Sequence, residues 1–161
     1  MKKYGILPGI ILIGTGIYFF LNQLDSFNSN QFFSWPTYFL IIGFAFLLQG
    51  YIGKDAYSIF PGVLFAGFGV HFHGQTLFDF WPTHWGIYTL LLSMAFLFQH
   101  QELKRGILPG IIFLIISLFG IFETSISEYL TSLNVSINWF YSIWPLILIT
   151  LGFYILFFKS K

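Results

Sequence analysis

Two short phrases alternate along this chain, and each of them opens a long apolar run. Pro-Gly occurs at Pro8-Gly9, Pro61-Gly62 and Pro109-Gly110, and Trp-Pro occurs at Trp35-Pro36, Trp81-Pro82 and Trp144-Pro145. Proline has no N–H group to leave unpaired, and its fixed φ angle suits the first turn of a helix. Each phrase therefore predicts a helix start, and the alternation predicts six helices.

The apolar runs have the length of short membrane-spanning helices. They cover 6–21, 35–49, 59–72, 81–98, 107–122 and 144–158, and none of them contains Asp, Glu, Lys or Arg. The whole chain is 57% hydrophobic and 8% charged, with a mean hydropathy of +0.79, which is typical of a membrane protein. A helix rises about 1.5 Å per residue and the hydrocarbon core is about 30 Å thick, so most of these runs are shorter than a helix that crosses the core. We expect flanking Tyr and Trp rings to lie in the interface, or the bilayer to thin.

The two phrases together define a two-helix hairpin that the sequence uses three times. We assign a single membrane domain to 1–161, with hairpins at 1–55, 56–105 and 106–161. Segment 35–49 aligns without gaps with segment 144–158, whereas the segment that begins at Trp81 needs four extra residues after Thr83. The predicted fold is all-α: a polytopic membrane protein of six short transmembrane helices, arranged as three tandem parallel-repeat hairpins with pseudo-threefold symmetry.

The charged residues give an independent indication of topology, because none of them was used to delimit the runs. All seven basic residues fall on one predicted side of the membrane, at Lys2, Lys3, Lys54, Lys104, Arg105, Lys159 and Lys161. With Asp55 and Glu102 that side carries a net +5, while the opposite loops carry −4 from Asp25, Asp79, Glu123 and Glu128. Basic residues favour the cytoplasmic side, which predicts a bacterial cytoplasmic membrane protein with both termini inside. The alternative is an aqueous helical bundle with the same runs as its core.

Small residues recur at helical spacing on the predicted helices. The odd-numbered helices carry pairs seven residues apart, Gly9 and Gly16, Gly62 and Gly69, and Gly110 and Ser117, and the even-numbered helices carry Gly43 and Gly152. Lipid is as apolar as leucine, so helices associate in a membrane through close packing at small residues. We predict helix-packing contacts at these positions, with a substrate path as the alternative. Trp35, Trp81 and Trp144 are predicted interface anchors.

Four residues with metal-ligating side chains surround the second predicted external turn, His71, His73, Asp79 and His84. Imidazole and carboxylate groups ligate zinc, so a metal site is one interpretation. Histidines at the interface without a metal are the interpretation we favour, because His71 and His73 are two apart on a predicted helix and point to different sides. A pH-sensing role is the third.

The sequence lacks the residue arrangements that support catalysis. The chain has no cysteine, no Ser/His/Asp or paired-carboxylate arrangement with supporting context, and no phosphate-binding glycine loop. The basic positions are too sparse for nucleic acid and follow from membrane topology. We therefore predict no enzymatic activity, no cofactor and no nucleic-acid partner.

The longest predicted external loop, 123–143, has the features of a short helix. Ser125 and Glu128 have capping-box spacing, and Ile126, Tyr129, Leu130 and Leu133 follow at i, i+3, i+4 and i+7. This pattern predicts an amphipathic helix on the outer leaflet. A disordered extracellular loop is the alternative.

Three segments carry a family resemblance: LPGIILIGTGIYFFL, FWPTHWGIYTLLLSMAFLF and SIWPLILITLGFYILFF. They resemble the transmembrane region of the Lia-type (LiaI/LiaF-like) membrane proteins of Gram-positive cell-envelope stress systems. The resemblance covers nearly the whole chain and depends on the helix-start phrases with internal glycine. It implies a small bacterial membrane protein, with relatives that restrain a sensor kinase or anchor a phage-shock-type peripheral protein. This chain has more predicted spans than the family's typical members.

Two functions follow as expectations. The first is a membrane-embedded interaction or regulatory component linked to cell-envelope stress. Its partners would be the lipid bilayer and another membrane protein or a peripheral stress protein, and its oligomeric state is open. The alternative is passage of lipid or a small neutral solute through the helical bundle.

The predicted topology can be tested by single-cysteine labelling, because the chain has no cysteine of its own. Cysteine in place of Lys54 or Arg105 should be protected from a membrane-impermeant maleimide in intact cells, and cysteine in place of Asp79 should react. Labelling of position 54 or 105 from outside would contradict the topology.

Overall fold

The computed structural model describes residues 5–24 and 34–132, together with Leu146, Ile149, Thr150 and Phe153. Every regular element in this part of the chain is helical, which confirms the all-α prediction there. The α-helices are α1 (Ile6–Asn22), α2 (Pro36–Tyr51), α3 (Ile59–Leu77), α4 (Gly86–Leu103), α5 (Ile107–Ile121) and α6 (Glu123–Ser132), with a single 3₁₀ turn at Ala56–Ser58. The rest of the sixth predicted run, including Trp144 and Gly152, lies outside the described residues.

Most helices begin where the sequence predicts, because proline occupies the first turn. Pro36 is the first residue of α2, and Pro8, Pro61 and Pro109 each occupy the third position of their helix. The N–H groups of a first turn have no partner within the helix, so proline costs no hydrogen bond there.

The start of α4 differs from the prediction. The Trp81-Pro82 phrase precedes the helix, which begins at Gly86 with Trp85 in the N-cap position. Trp35 holds the N-cap position of α2, so the structural counterpart of Trp35 in the second hairpin is Trp85. With Trp85 in the place of Trp35, the four extra residues are 81–84, and they belong to the connection between α3 and α4.

The predicted amphipathic helix is present as α6, but it begins at Glu123, so Ser125 lies inside the helix and the predicted capping box is wrong. Leu133 lies outside the described residues. Glu123 lies in the first turn of α6, where a carboxylate favours the positive end of the helix dipole. The backbone N–H of Ile126 donates to the carbonyl of Phe122 at 2.9 Å. The structure thus contradicts the alternative of a disordered loop for these residues, while the position of α6 on a membrane stays a prediction.

Two compact units divide the chain, 1–121 with α1 to α5 and 122–161 with α6. Within the first unit, each helix packs against the next one in the sequence: α1 on α2, α2 on α3, α3 on α4 and α4 on α5. The 3₁₀ turn also contacts α4. The turn between α2 and α3 therefore lies beside α4.

Left-handed residues close the turn between α4 and α5. Lys104 has φ 53° and Gly106 has φ 92°, and the Lys104 N–H donates to the carbonyl of His100 at 2.8 Å. Lys54, in the turn between α2 and α3, also has φ 53°. A left-handed residue ends a helix and satisfies its last carbonyls, so each pair of helices can reverse direction within a few residues.

The closest helix approaches lie across the predicted hairpin boundaries. A Cβ added at Gly43 of α2 would lie 2.7 Å from Cα of Ala66 in α3, and one added at Gly86 of α4 would lie 2.8 Å from the backbone N of Ile121 in α5. Within the predicted hairpins, the glycines meet side chains instead, Gly14 against Ile41 and Gly67 against Leu91. The α2–α3 and α4–α5 pairs thus approach backbone to backbone.

Small residues hold many of the fully buried positions, and many large apolar side chains are exposed. Ala45, Ala95, Ser93 and Ser117 are fully buried, whereas the exposed fraction of Leu12 is 74%. An aqueous core would bury its large side chains, while helices in lipid bury small residues and leave large ones for the acyl chains. The distribution favours the membrane bundle over the aqueous one.

Of the helices in the described residues, none alone combines the length and the apolar composition needed to cross a membrane, and only α5 taken together with Glu123–Tyr129 meets both conditions, by length and composition.

Adding a methyl group should distinguish packed from open glycines. Gly43→Ala places its Cβ against the Ala66 backbone, and overpacking of this kind typically costs about 1–3 kcal/mol. At Gly16 a Cβ meets no described atom within 4 Å, so Gly16→Ala should leave stability unchanged or raise it by up to about 1 kcal/mol through helix propensity. The free energy of unfolding, measured by SDS titration in mixed micelles with circular dichroism, reports both. Equal effects of the two substitutions would contradict this packing.

Candidate functional site: small-residue contacts and a buried histidine cluster

The small residues of α3 lie in its contact with α2. A Cβ at Gly62 would lie 2.8 Å from the backbone N of Leu47, and a Cβ at Gly69 would lie 2.9 Å from the backbone N of Leu40. Together with Gly43, these glycines form a continuous line of close approach. The two helices can approach this closely because these three positions have no side chain.

The α4–α5 contact combines small residues with an interhelical hydrogen bond. A Cβ at Gly110 would lie 2.8 Å from Cδ2 of Leu97, and one at Gly86 would lie 2.9 Å from the carbonyl oxygen of Ser117. The hydroxyl of Ser93, fully buried, donates to the carbonyl of Gly110 at 2.8 Å. Few polar partners exist in lipid, so such a bond fixes the helices in one register.

No described residue covers the equivalent face of α1. A Cβ at Gly9 or Gly16 meets no atom of the described residues within 4 Å. Ile13, between them on the same side of the helix, is 64% exposed. The same sequence positions are therefore packed in α3, whereas no described residue covers them in α1. Gly152 lies outside the described residues.

The tryptophans of the two described Trp-Pro phrases have different surroundings. Trp35 is 56% exposed and its ring contacts Phe39 and Phe72, with centroids 5.7 and 4.7 Å away. An exposed ring at a helix end fits an interface position. The indole of Trp81 instead donates a hydrogen bond to His71. Trp144 lies outside the described residues.

A polar cluster formed by His71, His73, Gln75, Thr37 and Trp81 lies at the end of α3. His71 is 1% exposed; its Nδ1 accepts from Trp81 Nε1 at 3.0 Å, and its Nε2 lies 3.1 Å from the side-chain amide of Gln75. His73 is 8% exposed and bonds through Nε2 to the hydroxyl of Thr37 on α2 at 3.0 Å. This cluster was missed by sequence reasoning, because only the fold brings Thr37 and Trp81 to the histidines.

The cluster is not arranged as a metal centre. Among the described residues, no group of three or more His, Asp or Glu side chains could hold a metal ion. His71 and His73 leave α3 on different sides, one toward Trp81 and the other toward Thr37, and Asp79 is exposed. The structure does not bring the four predicted candidates, His71, His73, Asp79 and His84, together as ligands.

The interhelical bond of Ser93 generates a stability prediction. Ser93→Ala should lower the free energy of unfolding by about 0.6–2 kcal/mol, the range for hydrogen bonds between membrane helices. Thr89→Ala is the matched control on the same helix, because the Thr89 hydroxyl donates to the carbonyl of Gly86 within α4 at 2.9 Å. The same SDS titration measures both variants. A loss for Thr89→Ala as large as that for Ser93→Ala would show that the interhelical bond adds nothing.

Comparison with known proteins agrees with the membrane environment that the packing favours. Residues 6–47 match the family model of the LiaI-LiaF-like transmembrane region, which confirms the resemblance over α1 and most of α2. The chain is also 24% identical over 163 residues to the uncharacterized membrane protein YsxD of Bacillus subtilis (strain 168), with 100% of this chain and 98% of the relative covered. No solved structure matches. The chain is thus a membrane protein with a LiaI-LiaF-like transmembrane region over residues 6–47.

Proposed function

We propose that this protein is a membrane-embedded interaction component of a bacterial cell envelope, linked to envelope stress, and that it binds another membrane protein through α1. The observation that carries the proposal is the face of α1 at Gly9 and Gly16, which none of the described residues covers. The corresponding glycines of α3, Gly62 and Gly69, serve close helix contact. A helix with the same spacing of small residues is suited to the same kind of contact with a partner helix.

The position of this face within the matched segment supports the proposal. Gly9 and Gly16 both lie within residues 6–47, the part of the chain that matches the LiaI-LiaF-like transmembrane region. The resemblance implies relatives that act on other proteins at the membrane. A peripheral stress protein at the cytoplasmic turns is a second class of partner under the same proposal.

The chemistry of the predicted spans also favours interaction over ion coupling. None of the six apolar runs contains Asp, Glu, Lys or Arg, whereas pumps and ion-coupled carriers keep such groups at mid-membrane. A protein that binds a partner helix needs a complementary packing surface in its spans and no charged residues there. The proposal includes no enzymatic activity and no cofactor.

The proposed architecture has three tandem hairpins related by pseudo-threefold symmetry, with both termini in the cytoplasm. The repeated phrases and the distribution of charge support it. Lys54 and Lys104 occupy the α2–α3 and α4–α5 turns with the same φ of 53°. Because the 3₁₀ turn after Lys54 contacts α4, a common cytoplasmic end for these turns fits the contacts.

Passage of lipid or a neutral solute has less support. Such a path needs free polar groups along one face, but the hydroxyls of Thr89 and Ser93 donate to the backbone carbonyls of Gly86 and Gly110. The protons of these two hydroxyls are bonded within the helices and are not available to donate to a solute.

Site-specific photo-crosslinking tests the proposed partner face. A benzoylphenylalanine at Ile13 should give a discrete protein adduct in living cells, and the yield should change on cell-wall stress. Ile115 of α5 is the matched control, because its exposed fraction of 62% is close to the 64% of Ile13; its probe should react only with lipid. Gly16→Leu should reduce the Ile13 adduct at least several-fold while the protein stays folded.

Two results would refute the assignment. One is the same set of adducts from positions 13 and 115. The other is lipid adducts alone from position 13 before and after stress.

A further inference from the structure

The bond between Trp81 and His71 determines which ring nitrogen of His71 carries the proton. An indole N–H can only donate, and Trp81 Nε1 lies 3.0 Å from His71 Nδ1. Nδ1 must therefore present a lone pair. A neutral imidazole then carries its proton on Nε2. The structure places the amide nitrogen of Gln75 3.1 Å from His71 Nε2, and a half-turn of this amide, whose two ends are interchangeable in assignment, lets its oxygen accept the Nε2 proton. Hydrogen bonds run in one direction, from Trp81 through His71 to Gln75.

Protonation of His71 is incompatible with this arrangement. An imidazolium has N–H groups at both nitrogens, so a second donor would face the indole N–H across 3.0 Å. His73 differs, because its Nε2 partner is the hydroxyl of Thr37, which can accept as well as donate. Only the His71 contact requires the neutral ring.

The Trp81 contact holds the connection between α3 and α4 against α3. The Trp81 ring lies over Gly74, where an added Cβ would be 2.7 Å from Cε3, and it stacks on Phe78 with centroids 6.1 Å apart. Phe80, beside it, is 81% exposed. The indole of Trp81 is the part of this connection that packs against the last turn of α3.

We propose that His71 and Trp81 form a pH-sensitive latch, closed while the His71 imidazole is neutral and opened by its protonation. When the latch opens, the indole leaves Nδ1 and the connection 78–85 separates from the last turn of α3. This inference is independent of the proposed partner face on α1. A solvated imidazole is half protonated near pH 6.5, so acidification below that value drives opening.

Other ionisable groups surround the latch and need their own controls. Tyr88 of α4 meets the His71 ring edge-on at 5.2 Å, and Tyr38 of α2 contacts Tyr18 of α1 at 4.8 Å. Tyrosines are neutral between pH 5 and 8. The remaining groups are His73 on α3, and Asp79 and His84 in the connection.

Fluorine NMR of the full chain labelled with 5-fluorotryptophan tests the latch. The resonance that disappears in Trp81→Phe belongs to Trp81. Between pH 8 and 5 it should shift or lose intensity with a one-proton midpoint. Below about pH 6.5 the ratio of closed to open latch should fall about tenfold per pH unit. In His71→Gln the response should vanish, because the glutamine oxygen still accepts from the indole but does not titrate.

The matched controls are His73→Gln, His84→Gln and Asp79→Asn, each of which should keep the wild-type response. An unchanged response in His71→Gln, or a Trp81 resonance that is constant from pH 8 to 5, overturns the proposal. Nitrogen-15 histidine NMR decides the tautomer, with Trp81→Phe used to identify the His71 signal. At pH 8 one histidine should carry its proton on Nε2 with an accepting Nδ1 that changes in Trp81→Phe. A proton on Nδ1 of that histidine refutes the latch.

Discussion

Close approach of helix backbones is the interaction on which the rest of this structure depends. The predicted spans have no charges with which to attract one another, and lipid competes equally for every large apolar side chain. The remaining attraction is dispersion between helix surfaces, which is strong where glycine lets two backbones come close, as at Gly43 and Ala66. Bonds such as that from Ser93 to Gly110 then fix the register of helices that are already in contact.

This constraint explains why the tightest pairs are α2–α3 and α4–α5. Each of the two connections contains a left-handed residue, Lys54 in the first and Lys104 and Gly106 in the second, so the chain reverses direction directly after the first helix of each pair. The connections on the other side hold aromatic and polar residues, and there the contacts form between glycines and side chains such as Ile41 and Leu91. The repeat in the sequence and the closest units in the structure are thus offset by one helix.

The sequence was sufficient for the helical class, for most helix starts and for α6, because proline position and apolar spacing act locally. It was not sufficient for the start of α4, since a proline permits a helix start without requiring one, and Trp81 has a partner elsewhere in His71. It also could not distinguish the packed glycines of α3 from the open ones of α1. Both sets have the same spacing, and only the arrangement of neighbouring helices separates them.

The four residues that displace α4 from its Trp-Pro phrase lie ahead of Trp85, outside the helix. An insertion inside a helix must respect its period of about 3.6 residues, or every following side chain rotates to a new face. An insertion in a connection has no such limit. In this connection Trp81 does not begin a helix, and its indole bonds to His71 instead. The first repeat has no equivalent bond to offer, because Tyr18 occupies the position aligned with His71.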